Sequence, residues 1–118
     1  MFSEDGDRIM SDKYIPKDLN DCFKELTKAF IDKDYLTFKN KTEKDIVLYH
    51  HTLGRCIRNK WDLWGESRLS KWFNDKGIHH ADDMSGIILT SFWREANSQP
   101  IKLEEQIKEY QDFWEKAK

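Results

Sequence analysis

The chain has 118 residues, the size of one ordinary domain, and a formal net charge of -2 at pH 7. Charged residues make up 36% of it, which is typical of disordered chains, but aromatic residues reach 14%, and disordered chains are poor in aromatics. The composition therefore favours a folded domain, and its slightly acidic balance argues against a general nucleic-acid binder.

We expect no targeting signal from the pattern of apolar and charged residues. We expect no transmembrane helix, because no stretch of about 18 uncharged apolar residues occurs. Residues 1–13 carry early acids and no apolar core, so we expect no secretory signal peptide. Cys22 and Cys56 lack CxxC spacing, so no zinc site is predicted, while a disulfide between them stays open. The expected location is the cytoplasm.

The first half of the chain predicts a tail followed by three helices. Residues 1–13 form the tail, and the first helix begins near Pro16, since proline is tolerated in a first helical turn. Its apolar residues recur at helical spacing: Leu19, Cys22, Phe23, Leu26 and Phe30. A short second helix carries Tyr35, Leu36 and Phe38 and ends near Asn40.

The third helix is predicted from a capping pattern. Thr42 with Asp45 three residues later resembles a capping box. The face that should point inward consists of Ile46, Tyr49, His50, Leu53 and Ile57. Gly54 lies within this helix at a cost of about 1 kcal/mol relative to alanine, so it marks either close packing or a weak point.

The second half of the chain predicts a break and three further helices. The break covers residues 59–65; Ser67 then caps a helix with Leu69, Trp72 and Phe73, which Gly77 terminates. Asp82 or Asp83 starts the next helix. Its inward residues are Met84, Ile87, Ile88, Ser91 and Phe92. The last helix has an apolar stripe formed by Leu103, Ile107, Tyr110, Trp114 and Ala117.

These patterns predict an all-α fold: a compact bundle of five to six helices spanning residues 14–118 as a single domain. The segment GIILTSFW is compatible with a buried strand, but no second strand exists to pair with it, so a helix is favoured. The core should be rich in aromatic rings, each of which contributes about 4 to 6 kcal/mol of gross burial energy.

The central segment from Arg55 to Trp72 is the first candidate site. Between Lys39 and Lys60 the chain has six basic and two acidic residues, and several tryptophans follow. Arginine and tryptophan are enriched at interface hot spots. Basic residues interleaved with aromatic residues can also bind nucleic acid, because the aromatic rings stack on nucleobases. The alternative is that the tryptophans anchor a loop in the core. The predicted partner-binding residues are Arg55, Arg58, Trp61, Trp64, Arg68 and Trp72.

A second candidate is the short run His79, His80, Asp82 and Asp83. Two imidazoles and two carboxylates can hold a metal ion or transfer protons. Neighbouring histidines in one loop rarely converge on one ion, however, and aspartate is a preferred helix cap. We therefore favour capping of the following helix by Asp82 or Asp83, and the four residues stay weak metal candidates.

Three stretches carry a resemblance to a family: residues 15–26, 49–94 and 101–114. The middle stretch is the most specific, because LWGESRLSKWF is followed there by GIHHADDMSGIILTS. The chain resembles a small bacterial family known only as a domain of unknown function. This resemblance implies one bacterial, cytoplasmic domain and implies no activity.

No phosphate-binding glycine loop, glycosidase carboxylate pair or nucleophile elbow is present in the sequence. We therefore expect a non-enzymatic protein-binding domain that needs no cofactor. Its partner would be another protein, and the sharpest version is an immunity-type protein that neutralises a bacterial toxin. Alternatives are a small metal- or acid/base-dependent enzyme using the His79–Asp83 cluster and a nucleic-acid-binding domain. The exposure of Trp61, Trp64 and Trp72 separates an interface from a structural role.

Overall fold

The computed structural model describes residues 14–30 and 32–118, and within them the chain is entirely helical. This confirms the predicted all-α class; the predicted tail, residues 1–13, lies outside the described residues. Six α-helices are joined by one irregular helical segment. In chain order the α-helices are α1 (Leu19–Ala29), α2 (Asp32–Lys39), α3 (Arg55–Lys60), α4 (Arg68–Asp75), α5 (Ala81–Ala96) and α6 (Leu103–Ala117).

Helix α1 starts three residues later than Pro16, because Asp18 is its N-cap and accepts a hydrogen bond from the Asp21 backbone N–H. The predicted apolar stripe is confirmed, since all five of its residues are buried. Cys22 lies in this stripe, and Cys56 is half-buried in α3; both cysteines are free thiols.

Residues 43–54 form an irregular helix, which we call the 43–54 segment. It winds tightly as a 3₁₀ helix over Glu43–Tyr49 and then widely as a π-helix over His50–Gly54, before α3 continues it. The predicted cap is confirmed, because the Thr42 hydroxyl accepts from the Asp45 backbone N–H at 3.3 Å. The sequence predicted one regular helix here, and this prediction is wrong for the winding of residues 43–54.

The predicted break after α3 is a helix-ending turn. Its residue Asp62 adopts a left-handed conformation with φ 49°, and the Leu63 N–H donates to the Arg58 carbonyl at 3.0 Å. A six-to-one hydrogen bond of this kind closes many helix ends. The turn buries Leu63 and projects Trp64 outward.

Helix α4 has both predicted boundaries. Ser67 caps its start by accepting from the Ser70 backbone N–H at 3.1 Å. Beyond its end, Gly77 adopts a φ of 89°, a conformation that side chains other than glycine rarely take. Helix α5 then begins at Ala81 with His80 as its N-cap residue.

Helix α5 is the centre of the bundle, because every other helical element of the described chain packs against it. Its predicted inward residues are all buried, which confirms the helical assignment of GIILTSFW. Phe92 is the hub of an aromatic cluster, with ring centroids 5.5–6.2 Å from its partners. These partners are Phe23, Phe30, Tyr35 and Phe38.

The predicted stripe of α6 is only partly buried. Ile107 is buried and Tyr110 half-buried, whereas Trp114 is 39% exposed and Ala117 is exposed. The distal end of α6 therefore extends beyond the core and carries an exposed Phe113. None of the helices in the described residues has the length and apolar character needed to cross a membrane.

Replacement of the hub ring tests this core. Phe92→Ala should lower the free energy of unfolding by about 3–5 kcal/mol, because it removes buried ring surface and leaves a cavity. Urea titration followed by tryptophan fluorescence measures the loss. Phe113→Ala is the matched control and should change stability by less than about 0.5 kcal/mol. Equal losses in the two variants would contradict the assignment of Phe92 to the core.

Candidate functional site

The structure separates the three tryptophans of the central segment. Trp61 is 1% exposed and belongs to the core, Trp64 is 63% exposed, and Trp72 is half-buried. Burial of all three rings would have indicated a purely structural role, and exposure of two or more an interface; the structure meets neither condition in full. Trp64 is the ring that a partner can reach.

Trp64 is exposed and yet held in place. Its indole N–H donates to the Asn59 side-chain oxygen at 3.2 Å. The guanidinium carbon of Arg58 lies 5.9 Å from its ring centroid, within cation–π range. A ring fixed in this way loses little side-chain entropy when it binds a partner.

The remaining predicted residues of the segment have different roles. Arg68 donates to the Ile15 carbonyl at 2.7 Å and lies over the Tyr14 ring, so it ties the start of the described chain to α4. Trp72 makes a T-shaped contact with Phe73, and the Lys76 ammonium lies over its ring at 4.6 Å from the centroid. Arg55 is exposed at the start of α3.

Arg58 lies in the interior, only 5% exposed, and is surrounded by oxygen atoms. Its Nη1 donates to the Ser85 hydroxyl at 2.8 Å and its Nη2 to the His50 carbonyl at 3.1 Å. Its Nε is 3.4 Å from an Asp82 carboxylate oxygen but forms no hydrogen bond within the described structure. We call Arg58, His50, Asp82 and Ser85 the Arg58 centre.

The backbone makes room for this buried charge. A Cβ at position 54 would lie 3.0 Å from Arg58 Nη1 and 3.3 Å from the Tyr49 carbonyl, so Gly54 is there because the guanidinium approaches closely. The π turn that contains Gly54 is the part of the helix whose His50 carbonyl accepts the Arg58 hydrogen bond. Insertion of a side chain into the hydrogen-bond ladder is a known cause of such irregular turns.

His50 lies between the two charged members of the centre. Its Nδ1 is 3.5 Å from Arg58 Nη1 and its Nε2 is 3.8 Å from the Asp82 carboxylate. A guanidinium only donates, so we assign the proton of the neutral ring to Nε2. Burial and then the Arg58 charge lower the pKa of His50, while the Asp82 carboxylate opposes them.

The run from His79 to Asp83 does not assemble into one site. Asp82 faces the Arg58 centre, whereas Asp83 accepts a hydrogen bond from the Trp114 indole at 2.8 Å. His80 stacks on the Trp114 ring with centroids 3.9 Å apart. The predicted capping by Asp82 or Asp83 is wrong, because the N-cap residue is His80 and no side chain caps α5.

Metal binding requires several ligand side chains of the described residues to meet around one point. Within them, no group of three His, Cys, Asp or Glu side chains is placed to hold a metal ion. His79, His80 and Asp83 line one cleft together with Trp114, whereas Asp82 turns to His50 and Arg58, so the four side chains do not form one ligand set.

A cleft of about 370 Å³ opens beside the Arg58 centre. Helix α5 forms its base, and the 43–54 segment and α6 form its two walls. His50 and Asp82 belong to both the centre and the cleft. Its lining residues are Glu43, Ile46, Val47, His50, Asp82, Asp83, Gly86, Leu89, Thr90, Arg94, Gln106, Glu109 and Tyr110.

Two features position the cleft walls. Arg94 holds Glu43 with two hydrogen bonds of 2.9 Å, which fixes the 43–54 segment to α5 and lowers the pKa of the Glu43 carboxyl. On the other side, a Cβ at Gly86 would lie 2.6 Å from the Tyr110 hydroxyl, so α6 approaches α5 closely there.

Sequence reasoning missed this cleft because its base and its two walls come from three separate parts of the chain. Gln106, Glu109 and Tyr110 are far in sequence from His50 and Asp82. The only sequence signal was Gly54, whose place inside an apolar stripe indicated a close contact without naming Arg58 as the neighbour.

The fold and centre define an all-helical domain built around a buried arginine. The chain belongs to the family described as Domain of unknown function (DUF6794), whose model matches residues 15–96. The predicted membership in an uncharacterised family is thereby confirmed, and residues 101–114 lie outside the match. No curated protein and no solved structure matches the chain.

Substitution of Gly54 tests the packing of the Arg58 centre. Helix propensity alone would make Gly54→Ala stabilising by about 1 kcal/mol. We expect instead a destabilisation of about 1–3 kcal/mol, because the added methyl group meets the guanidinium. Chemical denaturation of Gly54→Ala in the natural and Arg58→Met backgrounds checks this. A smaller loss is expected in the Arg58→Met background, and equal losses in the two backgrounds would contradict the close contact.

Protonation of His50 gives a pH test. Because its pKa is lower in the folded than in the unfolded chain, the unfolded state takes up the proton first below about pH 6.5. Stability should therefore fall as pH decreases from 7, until folded His50 is also protonated. The urea midpoint of His50→Gln should fall less between pH 7 and 5 than that of the natural protein. His79→Gln is the control, and an identical response of both variants would contradict the role of His50.

Proposed function

We propose that this protein is a non-enzymatic protein-binding domain whose contact surface is centred on Trp64. The observation that carries the proposal is the combination of high exposure with fixed position at this ring. Large exposed rings held rigid are typical anchors of protein interfaces.

The surroundings of Trp64 support the same function. Arg58 connects Trp64 on one side to His50 and Asp82 on the other. Val47, which lines the cleft beside His50, and its neighbour Leu48 are exposed aliphatic residues. Exposed apolar side chains near charged groups are characteristic of a binding surface.

The specific form of the proposal is an immunity-type protein of bacteria that acts in the cytoplasm and neutralises a cognate toxin. The support is contextual, since small helical domains without catalytic motifs are often dedicated binders. Calorimetry against the products of the genes next to its own tests this version. It is abandoned if none of those products binds.

The alternatives have less support from the geometry. The enzyme hypothesis relied on His79, His80, Asp82 and Asp83 sharing a cleft. The two aspartates line the cleft beside Arg58, whereas His79 and His80 line another cleft with Asp83, so neither cleft holds all four. The nucleic-acid hypothesis relied on Arg55, Arg58 and Lys60 with the tryptophan cluster, and the Arg58 guanidinium donates to His50 and Ser85 in the interior instead.

Site-specific photocrosslinking tests the proposed surface. A benzophenone amino acid placed at position 64, in protein made in its native host, should give one discrete adduct with another protein. The same probe at Phe113 is the matched control, because that ring is 60% exposed on a different element. Trp64→Ala should weaken binding of the crosslinked protein by about tenfold or more.

Two outcomes would contradict the proposal. One is the absence of any adduct from position 64 under conditions in which the probe is photoactive. The other is an adduct formed equally from positions 64 and 113, which would indicate unspecific contact. A stability measurement on Trp64→Ala shows whether a loss of binding reflects unfolding.

A further inference from the structure

We propose that the cleft beside the Arg58 centre is a socket for an arginine side chain of the protein partner. This inference rests on the proposed protein-binding function and names the chemistry that the partner presents. Its basis is a set of hydrogen-bond acceptors around a cavity of about 370 Å³, one of which is a buried side chain.

Gln106 is the buried acceptor. The residue is 6% exposed, and its amide nitrogen donates both to the Ser91 hydroxyl at 3.0 Å and to the Ile101 carbonyl at 2.9 Å. Because the Ile101 carbonyl can only accept, the identity of the amide nitrogen is fixed. The amide oxygen accepts no hydrogen bond from the described residues and is left to a donor in the cleft that Gln106 lines.

Two carboxylates of the cleft are also available. Glu109 accepts no hydrogen bond within residues 14–30 and 32–118, and Asp82 has only the long contacts to Arg58 and His50. Glu43 and Asp83, in contrast, already accept hydrogen bonds from Arg94 and Trp114. The free acceptors therefore stand on both α5 and α6.

The charge of the cleft favours a cation. Four carboxylates and the Arg94 guanidinium line it, for a formal charge of -3 when His50 is neutral. Counting Arg58, which lies beside Asp82, the charge is still -2. The lowered pKa of His50 keeps that ring from adding positive charge near neutral pH.

An arginine fits this lining better than a lysine. Ile46, Val47 and Leu89 supply an apolar surface for the aliphatic stem, while the acceptors are spread over two helices. A guanidinium has five donors in a planar fork and is weakly hydrated, whereas an ammonium is compact and strongly hydrated. The cleft also shares His50 and Asp82 with the Arg58 centre, and the guanidinium carbon of Arg58 lies 5.9 Å from the Trp64 ring centroid, so one partner can engage both.

Binding of a blocked amino acid tests the socket directly. N-acetyl-arginine N-methylamide, titrated into the ¹⁵N-labelled full chain, should shift the backbone amides of Gly86 and Thr90 and the side-chain amide of Gln106. The shifts should saturate in the millimolar range. The citrulline analogue, which has the same shape without the charge, should leave these signals unchanged.

A pair of charge-matched variants locates the binding. Glu109→Gln should weaken binding of blocked arginine by about tenfold, because it removes a free carboxylate from the socket. Glu104→Gln makes the same charge change on α6 outside the cleft and should leave the affinity unchanged. Equal effects of the two variants would show a general charge effect and would overturn the inference.

Other results of these titrations would overturn the arginine socket or the protein-binding function. Binding of citrulline as tight as that of arginine, or shifts scattered over the surface, would overturn the socket. Blocked lysine binding as tightly as blocked arginine would overturn the assignment to a guanidinium. If blocked arginine does not bind but a discrete adduct forms at position 64, the socket is overturned and the protein-binding function is not. Arginine binding without any adduct would contradict the protein-binding function instead.

Discussion

The guanidinium of Arg58 has to be satisfied in the interior, and several neighbouring features follow from that requirement. Burial of an unpaired charge is costly, so oxygen atoms of His50, Ser85 and Asp82 surround it. Space for it depends on Gly54, where any side chain would approach the guanidinium. The same cation lies against one face of Trp64 and, after burial, is the second cause of the lowered pKa of His50, so the buried charge connects the core to the surface.

The sequence predicted those features that depend on local patterns. Helical spacing located α1 and α5, and hydroxyl caps at Thr42 and Ser67 marked helix starts, because both signals arise within a few residues. It did not predict that Asp82 and Asp83 would face different neighbours. Their partners Arg58 and Trp114 lie on other helices, and tertiary contacts prevailed over their preference for capping.

The aromatic excess of this polar chain has two separate explanations. Most rings are core: Phe92 gathers a cluster around the central helix, and Trp61 is enclosed beneath the turn that ends α3. Trp64 and the rings near the end of α6 are the remainder: Trp64 lies against Arg58, and Trp114 lines a cleft with His80 and Asp83. The sequence indicated a basic, tryptophan-rich face, whereas in the described structure Arg58 lies between the exposed Trp64 ring and Asp82, which lines an acidic cavity.

The irregular winding of the 43–54 segment explains how its inward-facing residues stay on the same side as those of α3. The tight 3₁₀ turns and the wide π turn deviate from the α-helix in opposite directions, so Ile46, Leu53 and Ile57 all remain buried. The length of this segment is therefore as constrained as its composition. Loss of a single residue from the π turn would rotate residues 43–49 by about 100° relative to α3 and remove Glu43 from the cleft. Insertions and deletions here would reshape the surface more than most substitutions.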